Sequence, residues 1–508
     1  MEESLPDTKV RKFHIPKYVI ILGALFAVAL ITLIAVAVVQ KHSNIRNTKY
    51  GIVLDAGSSH TTVYVYAWPA EKENDTGVVR QVDACEVEGP GISSYANNVE
   101  QAGVSLMHCM NKAKTSVPSR EHRNTPVYLG ATAGMRLLSL QNEDTSKKVL
   151  SAVQSTLRSY PFSYKGARIL SGQEEGAYGW ITINYLLGNF KKSLWPSFLP
   201  PLFSNPGTTG ALDLGGASTQ ITFVPDTTVE SQGDALNFRL YGKNYTVYTH
   251  SFLCYGKDQA LNLKLAIDAQ GASKGFHIEP CYHRGYVKIL NISDLLTNPC
   301  TAPSLQPPPS NMQLRIDGAG NYGRCLTSIQ KIFNMSQCPY SNCAFNGIFM
   351  PPLTGNFGAF SAFYYVMDFL NVTNEPLEDV IMTLKSFCSR PWDKVKEEFP
   401  NIKEKYLSDY CFSGTYIVAL LNERYSFKNE EWQRIHFLKK IAKSDAGWTL
   451  GYMLNLTNMI PAEPSYVGPL SQAAFVSLIT ICTILAVCLL LTGFLIYYKP
   501  KCLHKGII

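Results

Sequence analysis

Hydrophobic positions along this chain recur in three patterns, each predicting a different kind of element. Two runs carry no charge at all: Tyr18 to Val39 and Ala473 to about Tyr498 are each long enough to cross a bilayer as a helix. Between them, short apolar runs at Tyr50 to Leu54, Ala211 to Leu212 and Val127 to Leu129 predict buried strands. β-branched and aromatic stretches, Thr62 to Tyr66 and Gln220 to Val224, predict extended partners for the first two. A further strand-to-loop passage is expected at Ala167 to Leu170. Helical spacing predicts helices over Ala177 to Leu187, Phe357 to Leu370 and Tyr410 to Leu421. The prolines from Pro299 to Pro309 predict a disulfide-tethered surface loop.

Nearly the same turn joins each of the first two strands to its extended partner. Residues 55 to 61 read DAGSSHT, and residues 213 to 219 read DLGGAST. Glycine at such a turn lets backbone N–H groups approach a phosphate closely, hydroxyls add donors, and the aspartate faces the cation that neutralises the phosphate. Two such turns facing each other would clamp a polyphosphate and its metal. A Walker A pattern, GxxxxGK followed by Ser or Thr, is absent, so the P-loop ATPase class loses its main support.

The 508 residues, 46% of them hydrophobic, can bury a large core in two or three domains. The net charge of +7 falls to +3 once the terminal tails are set aside, and no basic stripe points to nucleic acid. The first apolar run is too long for a cleaved leader, so both runs are expected to remain as spans. Lys499, Lys501 and Lys505 follow the second span, and no Lys or Arg lies between Lys443 and it, which predicts cytoplasmic tails. Glycosylation sequons at Asn74, Asn244, Asn291, Asn334, Asn371 and Asn455 all lie between the spans and point outward. So do ten of the 13 cysteines: Cys85, Cys109, Cys254, Cys281, Cys300, Cys325, Cys338, Cys343, Cys388 and Cys411. An even set there suits an oxidising compartment. Short separations favour pairing Cys85 with Cys109, Cys338 with Cys343 and Cys388 with Cys411; the other four are left open. No CxxC pair supports zinc.

Four motifs carry a resemblance to a known family. DAGSSHT at 55 to 61, GATAGMR at 130 to 136, SGQEEGAYGW at 171 to 180 and GALDLGGASTQ at 210 to 220 closely resemble the ecto-nucleoside triphosphate diphosphohydrolases, the membrane ecto-apyrases. The stretch from Ala446 to Glu463 is similar to the vascular cell-surface type in particular. This resemblance implies an α/β fold of two ribonuclease-H-like lobes, the actin/Hsp70/sugar-kinase type, with nucleotide in the cleft. The expected layout is a cytoplasmic tail at 1–17, a span at 18–39, a first lobe from 48–172 and 440–465, and a second lobe at 173–439. A span at 473–498 and a tail at 499–508 complete it. The implied protein is a multi-pass plasma-membrane hydrolase that takes extracellular ATP and ADP to the monophosphate, uses Ca²⁺ or Mg²⁺, and tunes purinergic signalling. The family also allows homo-oligomers through the transmembrane helices. A Golgi or ER luminal nucleoside diphosphatase and an inactive nucleotide receptor are the alternatives. The N-terminal tail departs from the vascular relatives in lacking a cysteine, which leaves Cys502 as the acylation candidate.

Residue by residue, the resemblance implies Glu175 as general base, with Ser218 and Gln220 orienting the water. Strand alternation independently puts positions two apart on one side. Glu174 is the competitor, since adjacent acids at a helix start commonly serve the helix dipole. Asp55 and Asp213 would hold the hydrated cation between the lobes. Ser58, Ser59, His60, Gly215 and Gly216 would cradle phosphates, with Thr132 and Ala133 donating at the terminal one. Tyr365 is the expected stacking platform for the base, with Lys257 and Trp448 nearby. Phe360, Phe363, Tyr364 and Phe369 surround Tyr365 at helical spacing, and most of that stripe is expected in the core.

Overall fold

The computed structural model describes residues 17–46, 48–190, 207–270, 275–301, 313–335, 337–460 and 471–497. Both tails, Cys502, residues 302–309 of the proline-rich stretch and the domain edge at 461–465 lie outside the described residues. The chain forms two units. One holds the terminal helices Lys17–Arg46 and Gln472–Tyr497, which pack against each other and expose apolar side chains almost everywhere else. Their apolar stretches, Val19–Val39 and Ala473–Leu495, have the length and composition of membrane spans.

The other unit, Lys49–Ala462, is built around two sheets of the same design. In the first, β1 (Thr48–Ala56), β2 (Thr61–Pro69), β3 (Arg80–Glu86), β4 (Pro126–Ala131) and β5 (Ser163–Ile169) lie in the order β3-β2-β1-β4-β5. In the second, β6 (Gly210–Leu214), β7 (Ser218–Phe223), β8 (Ala235–Leu240), β9 (Lys243–Leu253), β13 (Phe357–Ser361) and β14 (Ile435–Phe437) lie in the order β14-β13-β6-β7-β9-β8. Without the edge strand β8, this is the first order repeated in chain sequence. The pairing senses repeat too: β1, β4 and β5 run parallel, as do β6, β13 and β14, while β2/β3 and β7/β9 are antiparallel. The duplicated turn is thus the β1–β2 and the β6–β7 connection of a duplicated fold. A small third sheet, β10 (Phe276–Glu279), β12 (Gln313–Gly318) and β11 (Val287–Asn291) in that spatial order, and a two-stranded pair, β15 (Lys440–Ile441) and β16 (Ser444–Asp445), complete the unit.

Three expected helices are revised. Phe357 to Leu370 is not continuous: Phe357–Ser361 is a strand wedged between β6 and β14, and the helix runs only from Ala362 to Phe369. A run buried on both faces has no period to separate strand from helix, and the parallel partners decide. The Tyr410 helix is regular to Val418 and then widens into a π-type turn from Ala419 to Arg424. The helix expected from Ala177 begins five residues earlier, at Gly172. Ser171 and Glu174 form a reciprocal capping box that satisfies its first N–H groups.

Helix Gly172–Leu186 leads from the first sheet to the second and packs closely on helix Trp448–Met459. Gly451 makes the approach feasible: its N–H donates to Thr182 Oγ1 at 2.8 Å, and a β-carbon there would stand 1.9 Å from the Tyr178 carbonyl oxygen. Backbone cannot yield as a side-chain tip can. Gly451→Ala is therefore expected to cost about 3 kcal/mol, the upper end for overpacking, seen as thermal inactivation at lower temperature.

Five disulfides close within this unit: Cys85–Cys109, Cys254–Cys300, Cys281–Cys325, Cys338–Cys343 and Cys388–Cys411. The first, fourth and fifth join the short-separation candidates. The other two were not readable from spacing. Of the six sequon asparagines, Asn455 is half-buried and the rest are exposed.

Candidate active site

The site lies where the two duplicated turns approach one another. A β-carbon on Gly216 would stand 2.9 Å from Ser58 Oγ, so the second loop lies directly against the first. Asp55, opposite Gly130 in the β1/β4 pairing, and Asp213, opposite Gln220 in the β6/β7 pairing, enter from their own sheets. Glu175 enters from the first turn of helix Gly172–Leu186. The three carboxylates feel each other. Asp55 is pushed up to about 8, by burial first and then by the charge of Glu175. Asp213 is pushed up to about 7 for the same two reasons, with Ser361 opposing. Glu175 is raised by burial and held down by Arg136.

The two adjacent glutamates separate cleanly. Glu174 turns outward, paired with both terminal nitrogens of Arg168 at 2.9 and 2.8 Å and capping Ser171. Those contacts depress its pKa against the cost of partial burial. Glu175 turns inward. Its Oε2 accepts from Arg136 Nη2 at 2.7 Å and from Gln220 Nε2 at 3.2 Å. Gln220 Nε2 also reaches Ser218 Oγ at 2.7 Å and Ser251 Oγ at 2.9 Å, while Arg136 Nη2 donates to Ser218 at 3.0 Å. Ser218 and Gln220 thus share one side of β7 with the Glu175 carboxylate. Gln220 Oε1 is buried without a hydrogen-bond partner, an acceptor held free beside that carboxylate.

The loop residues are placed less uniformly. Ser59 and His60 face solvent, their side chains joined at 3.0 Å between Oγ and Nδ1, and Ser58 is half-buried. Ala133 opens helix Ala133–Gln141, where N–H groups lack helical partners. Two expected backbone donors are already engaged. The Thr132 N–H bonds Ala56 O at 3.1 Å, leaving its hydroxyl to offer, and the Gly215 N–H bonds Ser218 O at 2.9 Å inside its own turn. Gly215 therefore shapes the second loop instead of donating from it.

Tyr365 is half-exposed, and its ring faces Lys439, whose Nζ lies 5.4 Å from the ring centroid. The Trp448 indole is 2% exposed, fills the space over Gly130 and stands close to the Asp55 carboxyl. It partly opposes the rise in the Asp55 pKa, although neither Asp55 Oδ1 nor Trp448 Nε1 has a partner in hydrogen-bond geometry. So packed, Trp448 has almost no surface open to solvent. Lys257 belongs to the second phosphate loop, with its N–H on Gly215 O and its ammonium paired with Asp258.

Sequence reasoning passed over Arg136, Ser361 and Lys439. Arg136 stands in the GATAGMR motif, which was the available signal. Ser361 has φ of 57°, a strained value for serine, at the end of β13 opposite the β6 turn.

A divalent cation fits between the two aspartates. Asp213 is buried and Asp55 partly so, the pKa of each is raised by a neighbouring negative charge, and Asp55 Oδ1 lacks any partner. Hard oxygen donors of this kind, completed by water and phosphate, suit Ca²⁺ or Mg²⁺. The other acid–histidine cluster among the described residues, Asp268, His277 and Glu279, is filled by Lys264. Its Nζ lies 2.8 Å from Asp268 and 2.6 Å from both Glu279 oxygens, so this is a buried ion pair and not a metal centre.

Residues 41–472 match the GDA1/CD39 (nucleoside phosphatase) family. The chain belongs to that family. It is 53% identical to ectonucleoside triphosphate diphosphohydrolase 1 of Mus musculus over 99% of both chains. It is 48% identical to ectonucleoside triphosphate diphosphohydrolase 8 of Rattus norvegicus, over 88% of this chain and 90% of the relative. Among solved structures, a nucleoside triphosphate hydrolase from Neospora caninum has the same fold, with a TM-score of 0.58 at 16% identity, covering 85% of this chain and 95% of that one. Three of the four motifs are strand ends that run into turns, DAGSSHT after β1, GATAGMR after β4 and GALDLGGASTQ between β6 and β7, and SGQEEGAYGW is the capped start of helix Gly172–Leu186.

Proposed function

We propose that this chain hydrolyses extracellular nucleoside tri- and diphosphates, ATP and ADP, to the monophosphate and inorganic phosphate at the plasma membrane. One observation carries the reading: Asp55 and Asp213, from equivalent turns, converge with an inward-facing Glu175 that is hydrogen-bonded to Gln220. Glu175 takes a proton from water while the water oxygen bonds to the terminal phosphorus and the phosphoanhydride P–O bond breaks. Ser218 receives two donors, so its own proton is free for the water oxygen. The unpartnered Gln220 Oε1 accepts the water's second hydrogen. Ser58, Ser59, His60, Gly216 and Ala133 hold the phosphates, and Tyr365 with Lys439 holds the base. Asp55 and Asp213 hold Ca²⁺ or Mg²⁺ through water, and the bound ion offsets phosphate charge. The terminal apolar helices seat the protein in the bilayer with both tails inside.

The test is phosphate release from ATP and from ADP by intact cells expressing the full chain, with Ca²⁺ or with chelator. Metal-dependent release from both substrates supports the reading. Activity that appears only after permeabilisation transfers the site to a luminal compartment, and nucleotide binding without release makes it a receptor.

Arg136 is a positioning residue in this scheme, since it acts through Glu175 and Ser218. Arg136→Ala should lower kcat about tenfold, the loss of one charge-assisted hydrogen bond of about 1.5 kcal/mol. Because Arg136 holds the Glu175 pKa down, the acidic limb of the pH–rate profile should also move to higher pH. Arg136→Lys should restore part of both, a rescue that a purely structural role would not give.

A further inference from the structure

The small sheet β10-β12-β11 has one face in the core and one in solvent. Leu314 and Ile316 of β12 point inward and are fully buried, and Glu279 of β10 is fixed beneath by Lys264. The outer face is unusual. Phe276 and Ile278 of β10 and Val287 and Ile289 of β11 are between 40% and 62% exposed. Single exposed apolar side chains are ordinary, but four on one face of one sheet form a patch that needs a cover.

Register orders this face into rows. Ile278, Asp317 and Val287 lie side by side; Phe276, Arg315 and Ile289 form the next row; Gln313 faces Asn291 in the third. A hydrogen-bonding stripe of Gln313, Arg315 and Asp317 therefore runs between two apolar margins. Arg315 and Asp317 pair at 2.9 Å and keep further donors and acceptors free. Asn291, two residues beyond Ile289, shares the parity of Val287 and Ile289, is exposed, and heads the sequon Asn291-Ile292-Ser293. The attachment atom thus rises from the patch itself, about 7 Å along the strand from Ile289.

We infer that the N-linked glycan on Asn291 folds back over this face and is its cover. Sugar rings match the surface: their C–H faces pack on Phe276 and Ile289, and their hydroxyls bond the Arg315 and Asp317 stripe. A lipid or protein partner would meet that charged stripe at the centre of its apolar contact, which costs unless each group is paired. The covalent tether also removes most of the entropy cost of association. The inference rests on the outward placement of this segment.

The test uses full-length protein in membranes of glycosylating cells. Site occupancy is read by mass spectrometry, and hydroxyl-radical labelling is compared for the parent chain and Ser293→Ala. Labelling of Phe276, Ile278, Val287 and Ile289 should rise several-fold in the variant while Val104 and Met382, exposed elsewhere, stay constant. Should the variant fail to reach the surface, the same comparison on folded parent protein before and after enzymatic removal of its glycans decides. Equal labelling with and without the glycan overturns the inference. A bare Asn291 beside occupied sequons elsewhere overturns it alone, whereas no glycan at any sequon overturns the outward placement as well.

Discussion

Replacing Glu175 by glutamine is expected to lower kcat by about 10²–10⁴-fold with little change in KM, the range general bases contribute. Glutamine keeps the shape and can still accept from Arg136 Nη2 and Gln220 Nε2, the two donors within 2.7 and 3.2 Å, so folding and phosphate binding should survive. What it cannot do is take a proton. The parent enzyme should gain activity with rising pH as the carboxyl ionises, and burial places that limb above the ordinary carboxylate range. The variant's residual rate should lack that limb. The control is Glu174→Gln, whose native partners are Arg168 and the Ser171 cap and which should lose stability while keeping the limb. Phosphate release measured across pH for both variants checks this. If Glu174→Gln loses the limb and Glu175→Gln keeps it, the two roles are reversed.

How much of this site could be read from the chain depends on the range of the interactions involved. Asp55 and Asp213 were legible because a glycine-rich turn between strands is a local event, written in seven residues each time. The two-lobed fold was implied by the family resemblance, and the repeated turn agreed with it. Glu175 and Glu174 were not separable locally, because both start a helix; the difference is that Arg168 lies within reach of one and Arg136 within reach of the other. Arg136 was overlooked because its partners lie 39 and 82 residues away along the chain. The setting of Trp448 was hidden for a similar reason. Whether an aromatic ring lines a cleft or covers a carboxylate depends on what Gly130, over 300 residues earlier, leaves empty. The Phe357 strand was hidden because burial on both faces erases the period by which strands are recognised.

The aspartate pair should show the site's cost to the fold. In metal-free protein both carboxyls titrate high, at about 8 for Asp55 and about 7 for Asp213. A raised folded-state pKa means that the folded chain binds more protons than the unfolded chain between about pH 4 and pH 8, so chelated protein should lose stability as pH rises through that window. A divalent cation needs both groups ionised, so its stabilising effect should grow over the same window. The double variant Asp55→Asn, Asp213→Asn separates these effects. Without metal at pH 8 it should be more stable than the parent by on the order of a few kcal/mol, because buried charge repulsion is gone. Its melting temperature should respond neither to Ca²⁺ nor to Mg²⁺, and its phosphate release should fall at least ~10²-fold. Thermal melts of the full chain in detergent, with cation and with chelator at pH 5 and pH 8, test each part. Cation-dependent stabilisation that persists in the double variant would place the metal elsewhere. A variant that is less stable than the parent at pH 8 would mean that the two carboxylates hold the turns together, and that the opposition between fold and function at this site does not exist.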